Sequence, residues 1–331
     1  MNQLDFLAIG DIVSEPFIRL KEAEIHCDKG PSKCEICMRW GDKIPYESVT
    51  FVPAVGNASN AAVSAARLGL STALRAYIGD DHYGAECMGR LAQENVDTSY
   101  MVTEAGKKTN YHFVLWFDSE RTILVKHEEY SYTIPKLTHE PKWIYLSSLA
   151  DHTLPYHLEL VKMLEAYPNV KLAFNPGTFQ MSLGAKALEG LYARTDFFSC
   201  NKEEAGRILD TDDLSDIRGL LVSLAKLGPK IVVITDGTKG AYAFDGSRMM
   251  YVPMYPDTRG PFERTGAGDA FTSTVAAALA LGEPLERALL WGPINSMSVV
   301  QQVGAQKGLL TRNELLDFLN KAPSTYAVRD L

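Results

Sequence analysis

The sequence predicts an α/β fold: a mainly parallel sheet sandwiched between helices, with a small β-sheet standing off it. Three observations carry this. Short apolar strands recur with helical stretches between them, and that alternation forms parallel sheets covered on both faces. Residues 13–53 break the rhythm, with Pro16, Gly30, Pro31, Gly41 and Pro45 around alternating pieces such as Ser48-Val49-Thr50-Phe51-Val52. The glycine-rich turn Arg264-Thr265-Gly266-Ala267-Gly268-Asp269 runs straight into an alanine-rich helix.

The bulk composition fits one large domain with an appendage. The chain has 331 residues, 46% hydrophobic and 22% charged, enough to bury a substantial core. Its net charge of −8 comes with no long basic run, so nucleic acid is excluded as a partner. No apolar run reaches the length of a membrane span, and the N-terminus lacks the basic start and apolar core of a signal peptide. A cytoplasmic protein is expected.

Phe6-Leu7-Ala8-Ile9 reads as a buried first strand ending at Gly10-Asp11. The α/β pattern resumes with the helix 57–68, closed by Gly69 and rich in small residues that allow close contact with a sheet. A strand over 73–79 and a helix near 86–94 follow. Residues 111–117 and 122–126 read as a hairpin turned at Asp118-Ser119-Glu120. Strands are then expected at 143–146, 170–174, 197–199, 231–235 and 241–244, with helices near 154–166, 202–209, 214–227, 269–281 and 284–302.

In open parallel sheets, ligands sit beyond the C-terminal ends of the strands. The polar turns that fall there include Asp11 to Glu15, Gly56 to Asn60, Asn201 to Glu204, Thr235 to Gly240, and Gly266 to Asp269. No P-loop or dinucleotide fingerprint is present. Glycines before a helix leave backbone N–H groups open, and with the helix dipole they make an anion site. Asp269 in such a turn would repel a phosphate. It makes sense as a base beside the point where negative charge develops. The plain alternative is an aspartate capping a helix.

The set resembles the ribokinase-like, or PfkB, family of carbohydrate and nucleoside kinases. The resemblance rests on Thr265-Gly266-Ala267-Gly268-Asp269-Ala270-Phe271, on Gly56-Asn57-Ala58-Ser59-Asn60, on Asn201-Lys202-Glu203-Glu204, on Thr235-Asp236-Gly237-Thr238-Lys239-Gly240 and on Gly304-Ala305-Gln306. It implies a ribokinase-like fold with a β lid, ATP and Mg²⁺ as cofactors, and phosphoryl transfer to a sugar hydroxyl. Asp269 would be the base, and the N–H groups of Gly266, Ala267 and Gly268 the anion hole. Asn201 and Glu204 would organise Mg²⁺ and phosphates. Thr235, Gly237, Gly240 and Asn295 would line the nucleotide. Asp11, Glu15, Gly56, Asn57 and Asn60 would hold the acceptor. The resemblance also implies pairing of lids into a homodimer.

The sequence departs from the family at Glu15 and Glu263, where an Asp is usual, and at Val55, where a Gly is usual. The first and last bear on the sugar pocket; Glu263 bears on a monovalent-cation site, so K⁺ stays open. A nucleoside kinase is the alternative, with Phe17, Tyr111, Phe113 and Trp116 as candidates for a base pocket. A ligand-sensing protein on the same scaffold is the remote one.

The resemblance leaves one cluster unexplained. His26 and Cys27, followed by Cys34 and Cys37, have spacing suited to a structural Zn²⁺, or are reduced thiols in a loop. The resulting division assigns 1–12, 54–105 and 132–331 to the core, and 13–53 with 106–131 to the lid.

Overall fold

The computed structural model describes residues 4–27 and 34–331. Among these, nine strands form the main sheet. Their spatial order is Arg329–Asp330, Met249–Val252, Ala241–Phe244, Ile231–Thr235, Phe197–Asn201, Lys171–Phe174, Trp143–Leu146, Phe6–Ile9 and Thr72–Arg75. From Thr72–Arg75 to Ile231–Thr235 every pairing is parallel, and the remaining three are antiparallel. The central strands are buried along almost their whole length, because helices cover both faces.

One face is covered by Asn57–Arg67, Ala267–Ala280 and Leu285–Val299. The first two carry runs of buried alanine, which let their backbones lie close to each other and to the sheet. The other face carries Leu154–Glu165, Glu189–Arg194, Lys202–Leu209 and Ile217–Ala225 over an aromatic layer of Phe174, Tyr192 and Phe198.

The run expected as one strand over 73–79 serves two sheets. Thr72–Arg75 joins the main sheet, whereas Tyr77–Gly79 pairs with Val102–Glu104. Gly79 permits this, since a Cβ there would lie 2.3 Å from the Lys107 carbonyl oxygen. Short helices at Thr178–Leu183 and Glu189–Arg194, and a longer one at Arg312–Lys321, were not among the expected elements.

The small sheet has the order Glu120–Leu124, Phe113–Phe117, Val13–Leu20 and Tyr46–Val55. Its inner face carries Glu15 and Phe17, with Val52 and Val114 across from them; Arg121 pairs with Trp116 on the same side. Its outer face carries Val49, Phe51, Phe113 and Leu124, 37–53% exposed. The inner face is joined to the core by edge-on packing of Trp116 and Phe262 at 5.1 Å, and by an Arg264–Glu120 ion pair at 2.7 Å.

The expected zinc site is not assembled. Glu24–Cys27 and Cys34–Cys37 form an antiparallel hairpin in which Cys27 faces Cys34, and the two are joined in a disulfide. Cys37 lies three residues along the strand, an odd step that turns it to the opposite face. His26 contacts Glu24 at 3.3 Å. Among the described residues no group of three or more His, Cys, Asp or Glu could hold a metal ion.

Burial pushes the Cys87 and Cys200 thiols up, so in the folded protein they resist alkylation. Iodoacetamide without reductant should therefore modify Cys37 alone, read by peptide mass spectrometry. Labelling of Cys27 and Cys34 under those conditions would show the pair as free thiols.

Candidate active site

The C-terminal ends of the parallel strands converge on the helix Ala267–Ala280. Gly266 caps this helix with φ +80°, and a Cβ on it would lie 2.3 Å from Ala305 Cβ. Glycine thus lets the turn enter the helix while packed against the 304–306 loop. No side chain caps the helix. The Ala267 N–H reaches the Arg264 carbonyl only at 3.4 Å, and a side chain on Gly268 would meet nothing within 4 Å. The turn therefore presents weakly engaged N–H groups at an open, electropositive helix end.

Asp269 lies in the first turn of that helix. Asn60, in the first turn of Asn57–Arg67, donates Nδ2–H to Asp269 Oδ2 at 2.9 Å. Asn60 is itself held by Gln306, whose amide donates to Asn60 Oδ1 at 3.2 Å and to the Ala54 carbonyl at 2.6 Å. Burial pushes the Asp269 carboxyl up to about 6. The Asn60 hydrogen bond and the Arg121 charge oppose the rise, and the Glu15 charge adds to it. A carboxyl near 6 is a stronger base than an ordinary one and is still mostly ionised at neutral pH.

Asn201 and Glu204 form a reciprocal capping box. Asn201 Oδ1 accepts the Glu204 N–H and Glu204 Oε2 accepts the Asn201 N–H, each at 2.8 Å. The pair thus caps its own helix. Burial, with the Asp269 charge as a further contribution, pushes the Glu204 carboxyl up. The two carboxyls thus lie within reach of each other's field.

Asn201 and Thr235 are register partners at the ends of adjacent parallel strands. Gly237 and Gly240 follow with φ +51° and +92°, and a Cβ on Gly240 would strike the Val252 carbonyl at 2.3 Å. Asn295 is fully buried, donates to Thr274 Oγ1 at 2.7 Å and accepts the Leu310 N–H at 2.9 Å. Its amide ties its helix to Ala267–Ala280 and to the segment before Arg312–Lys321.

Asp11 and Glu15 are buried under the small sheet. Gly56 must be glycine here, with φ +108° and the Asp11 carbonyl 2.8 Å from any added Cβ. Asn57 opens the helix beside it and is half-buried. Sequence reasoning missed the partners of the two carboxyls. Tyr132 donates to Asp11 Oδ1 at 2.6 Å, His127 Nδ1 lies 3.1 Å from Asp11 Oδ2, and His112 Nδ1 lies 3.3 Å from Glu15 Oε1. No motif marks these residues. Arg121, the register partner of Trp116, lies on the inner face of the sheet.

The profile of the pfkB family of carbohydrate kinases matches residues 41–312. The ribokinase of Bacillus subtilis (strain 168) is 27% identical over 291 residues, covering 85% of this chain and 92% of that protein. A fructokinase of Klebsiella pneumoniae is 28% identical over 239 residues, 68% of this chain and 76% of that protein. Among solved structures, Arabidopsis thaliana ribokinase complexed with ribose and ATP superposes with TM-score 0.76 at 19% identity, covering 96% of this chain and 99% of that one. A nucleoside kinase of Methanocaldococcus jannaschii gives TM-score 0.75 at 18% identity, covering 97% and 100%.

The raised Asp269 carboxyl has a stability signature. Wild-type stability falls as pH rises from the unfolded value of 3.8 to the folded value of about 6, because only the unfolded state ionises freely there. Asp269→Asn lacks this loss. Its melting temperature should exceed wild type by more at pH 8 than at pH 5, by about 1–3 kcal/mol of stability. An equal offset at both pH values would contradict the assignment.

Proposed function

The chain belongs to the pfkB family of carbohydrate kinases, and on that premise we propose that it transfers the γ-phosphoryl group of ATP to a sugar hydroxyl with Asp269 as the base. The observation that carries this is a half-buried carboxyl pushed up to about 6, set in the first turn of an uncapped helix end. A phosphoryl group held at that end lies against backbone N–H groups and the positive helix dipole. Its acceptor hydroxyl then lies beside Asp269, which takes the proton as the O–P bond forms. The Gly266, Ala267 and Gly268 N–H groups offset the charge on the transferring group.

Glu204, with Asn201 fixing its orientation, would hold Mg²⁺, which would supply positive charge to neutralise the phosphates. Thr235, Gly237 and Gly240 form the wall for the nucleotide. The fully buried Glu263 already accepts from the Thr265 N–H and hydroxyl and from the Gly304 N–H. K⁺ would have to share that carboxyl with these donors.

The acceptor side consists of Asp11, Glu15, Gly56, Asn57 and Asn60. Residues 13–53 and 106–131 act as a lid over the core, held shut by the Trp116–Phe262 and Arg264–Glu120 contacts. Closure excludes water that would otherwise accept the phosphoryl group. A sugar is favoured over a nucleoside because the aromatic candidates for a base pocket are already engaged. Phe17 and Trp116 are buried in packing, while Tyr111 and Phe113 cluster with Tyr83 and Phe51. The exposed outer face of the lid sheet suits a homodimer. No helix among the described residues is long and apolar enough to cross a membrane, and a cytoplasmic setting goes with the ATP requirement.

Asp269→Asn should lose roughly a hundred- to ten-thousand-fold in kcat while ATP and the sugar still bind. Wild-type kcat should rise with pH through about 6 and level off above it, since the base must be ionised. Near-normal turnover of the variant would reject the base. Leu124→Lys should shift the sedimentation coefficient from dimer to monomer; a monomeric wild type would reject the lid dimer.

A further inference from the structure

Two histidine–carboxyl pairs stand under the lid that neither the proposed chemistry nor the family motifs use. His112 comes from the start of the lid hairpin, and His127 follows its second strand. His112 presents Nδ1 to Glu15 Oε1 at 3.3 Å; His127 presents Nδ1 to Asp11 Oδ2 at 3.1 Å. The rings lie 5.2 Å apart. Phe179 stands edge-on to His127 at 5.5 Å, and Tyr132 holds the other Asp11 oxygen.

The pairing has a chemical consequence. Where Glu15 accepts from the Nδ1–H of His112, Nε2 of that ring points away from the carboxylate; His127 Nδ1 and Asp11 Oδ2 face each other without a hydrogen bond. His112 is 9% exposed and its Nε2 has no hydrogen-bond partner. A buried polar atom without a partner is destabilising, so its persistence calls for a ligand group that satisfies it. The pair is close to the chemistry, since the Glu15 charge is felt at Asp269.

We infer that His112 and His127 are specificity-determining residues for the acceptor, and that the acceptor is an uncharged polyhydroxylated molecule, not a sugar already carrying a phosphate. The inference rests on the sugar-kinase reading of this site. A polyol brings O–H donors for imidazole nitrogens and hydroxyl oxygens for Asn60. A phosphorylated sugar would bring up to two further negative charges to Asp11, Glu15 and Asp269. Arg121 is the cation whose charge reaches Asp269. Even with both imidazoles protonated, their charges offset only those of Asp11 and Glu15.

The test is steady-state kinetics with ATP over free pentoses, hexoses and hexitols, the corresponding monophosphates, and nucleosides. It is run on wild type, His112→Gln and His127→Gln, with melting temperatures as a check on folding. A free polyol should be preferred over its monophosphate. Each variant should raise the acceptor KM roughly tenfold or more while the ATP KM and the melting temperature stay near wild type. His112→Gln, whose amide reaches the Nε2 position, should retain more than His112→Ala. A monophosphate or nucleoside preferred over every free polyol would overturn the inference. So would an unchanged acceptor KM in both variants. Turnover with no acceptor at all would reject the kinase reading, and this inference with it.

Discussion

The hydrogen bond between Asn60 and Asp269 is the constraint on which the site depends. It joins residues 209 positions apart, each in the first turn of its own helix. Both helices must therefore start at the same height above the sheet. Gly56 and Gly266 make that possible, since each takes a positive φ at its helix N-cap and packs where a side chain has no room. Gln306 closes the arrangement from a third segment by gripping both Asn60 and the Ala54 carbonyl. The same hydrogen bond tempers the burial of Asp269, so the carboxyl rises only to about 6 and is not held fully neutral.

Stability and chemistry pull against each other here. Asp269 and Glu204 are both pushed up by burial, and each feels its neighbours' negative charge. Such a cluster disfavours the folded state at neutral pH and favours any ligand that brings positive charge. The rest of the fold offsets the strain with apolar burial. Alanine-rich helices pack tightly over one face of the sheet, and an aromatic layer fills the other. Elsewhere buried charges are matched in the ordinary way, as at Asp196, which meets Lys171, Arg194 and Lys230.

Local pattern carried much of the architecture. The strands at Phe6–Ile9, Trp143–Leu146 and Ile231–Thr235 were legible as short apolar runs, because strands buried on both faces need no alternation. The turn at Gly266 to Asp269 was legible because its residues are demanded by backbone geometry. Short helices such as Thr178–Leu183 were not, because six residues hold too little periodicity and form only against a neighbour. The burial of Asn295 was not legible for a related reason: its position on a helix is local, but its burial is set by two other segments.

By itself, the sequence determined the α/β class, the order of the loops at the strand ends and the place of the glycine-rich turn that carries Asp269. All three are written in local spacing and in residues that the backbone itself requires. Only the tertiary structure decided what faces what. Cys27 met Cys34 and turned away from Cys37, because strand alternation sends odd steps to opposite faces. Asn201 and Glu204 proved to cap their own helix while lying in the field of Asp269. His112 and His127 came to lie against Glu15 and Asp11 only because the small sheet folds over the core. Contacts across about a hundred residues leave no trace in local pattern, since they depend on how separate elements pack.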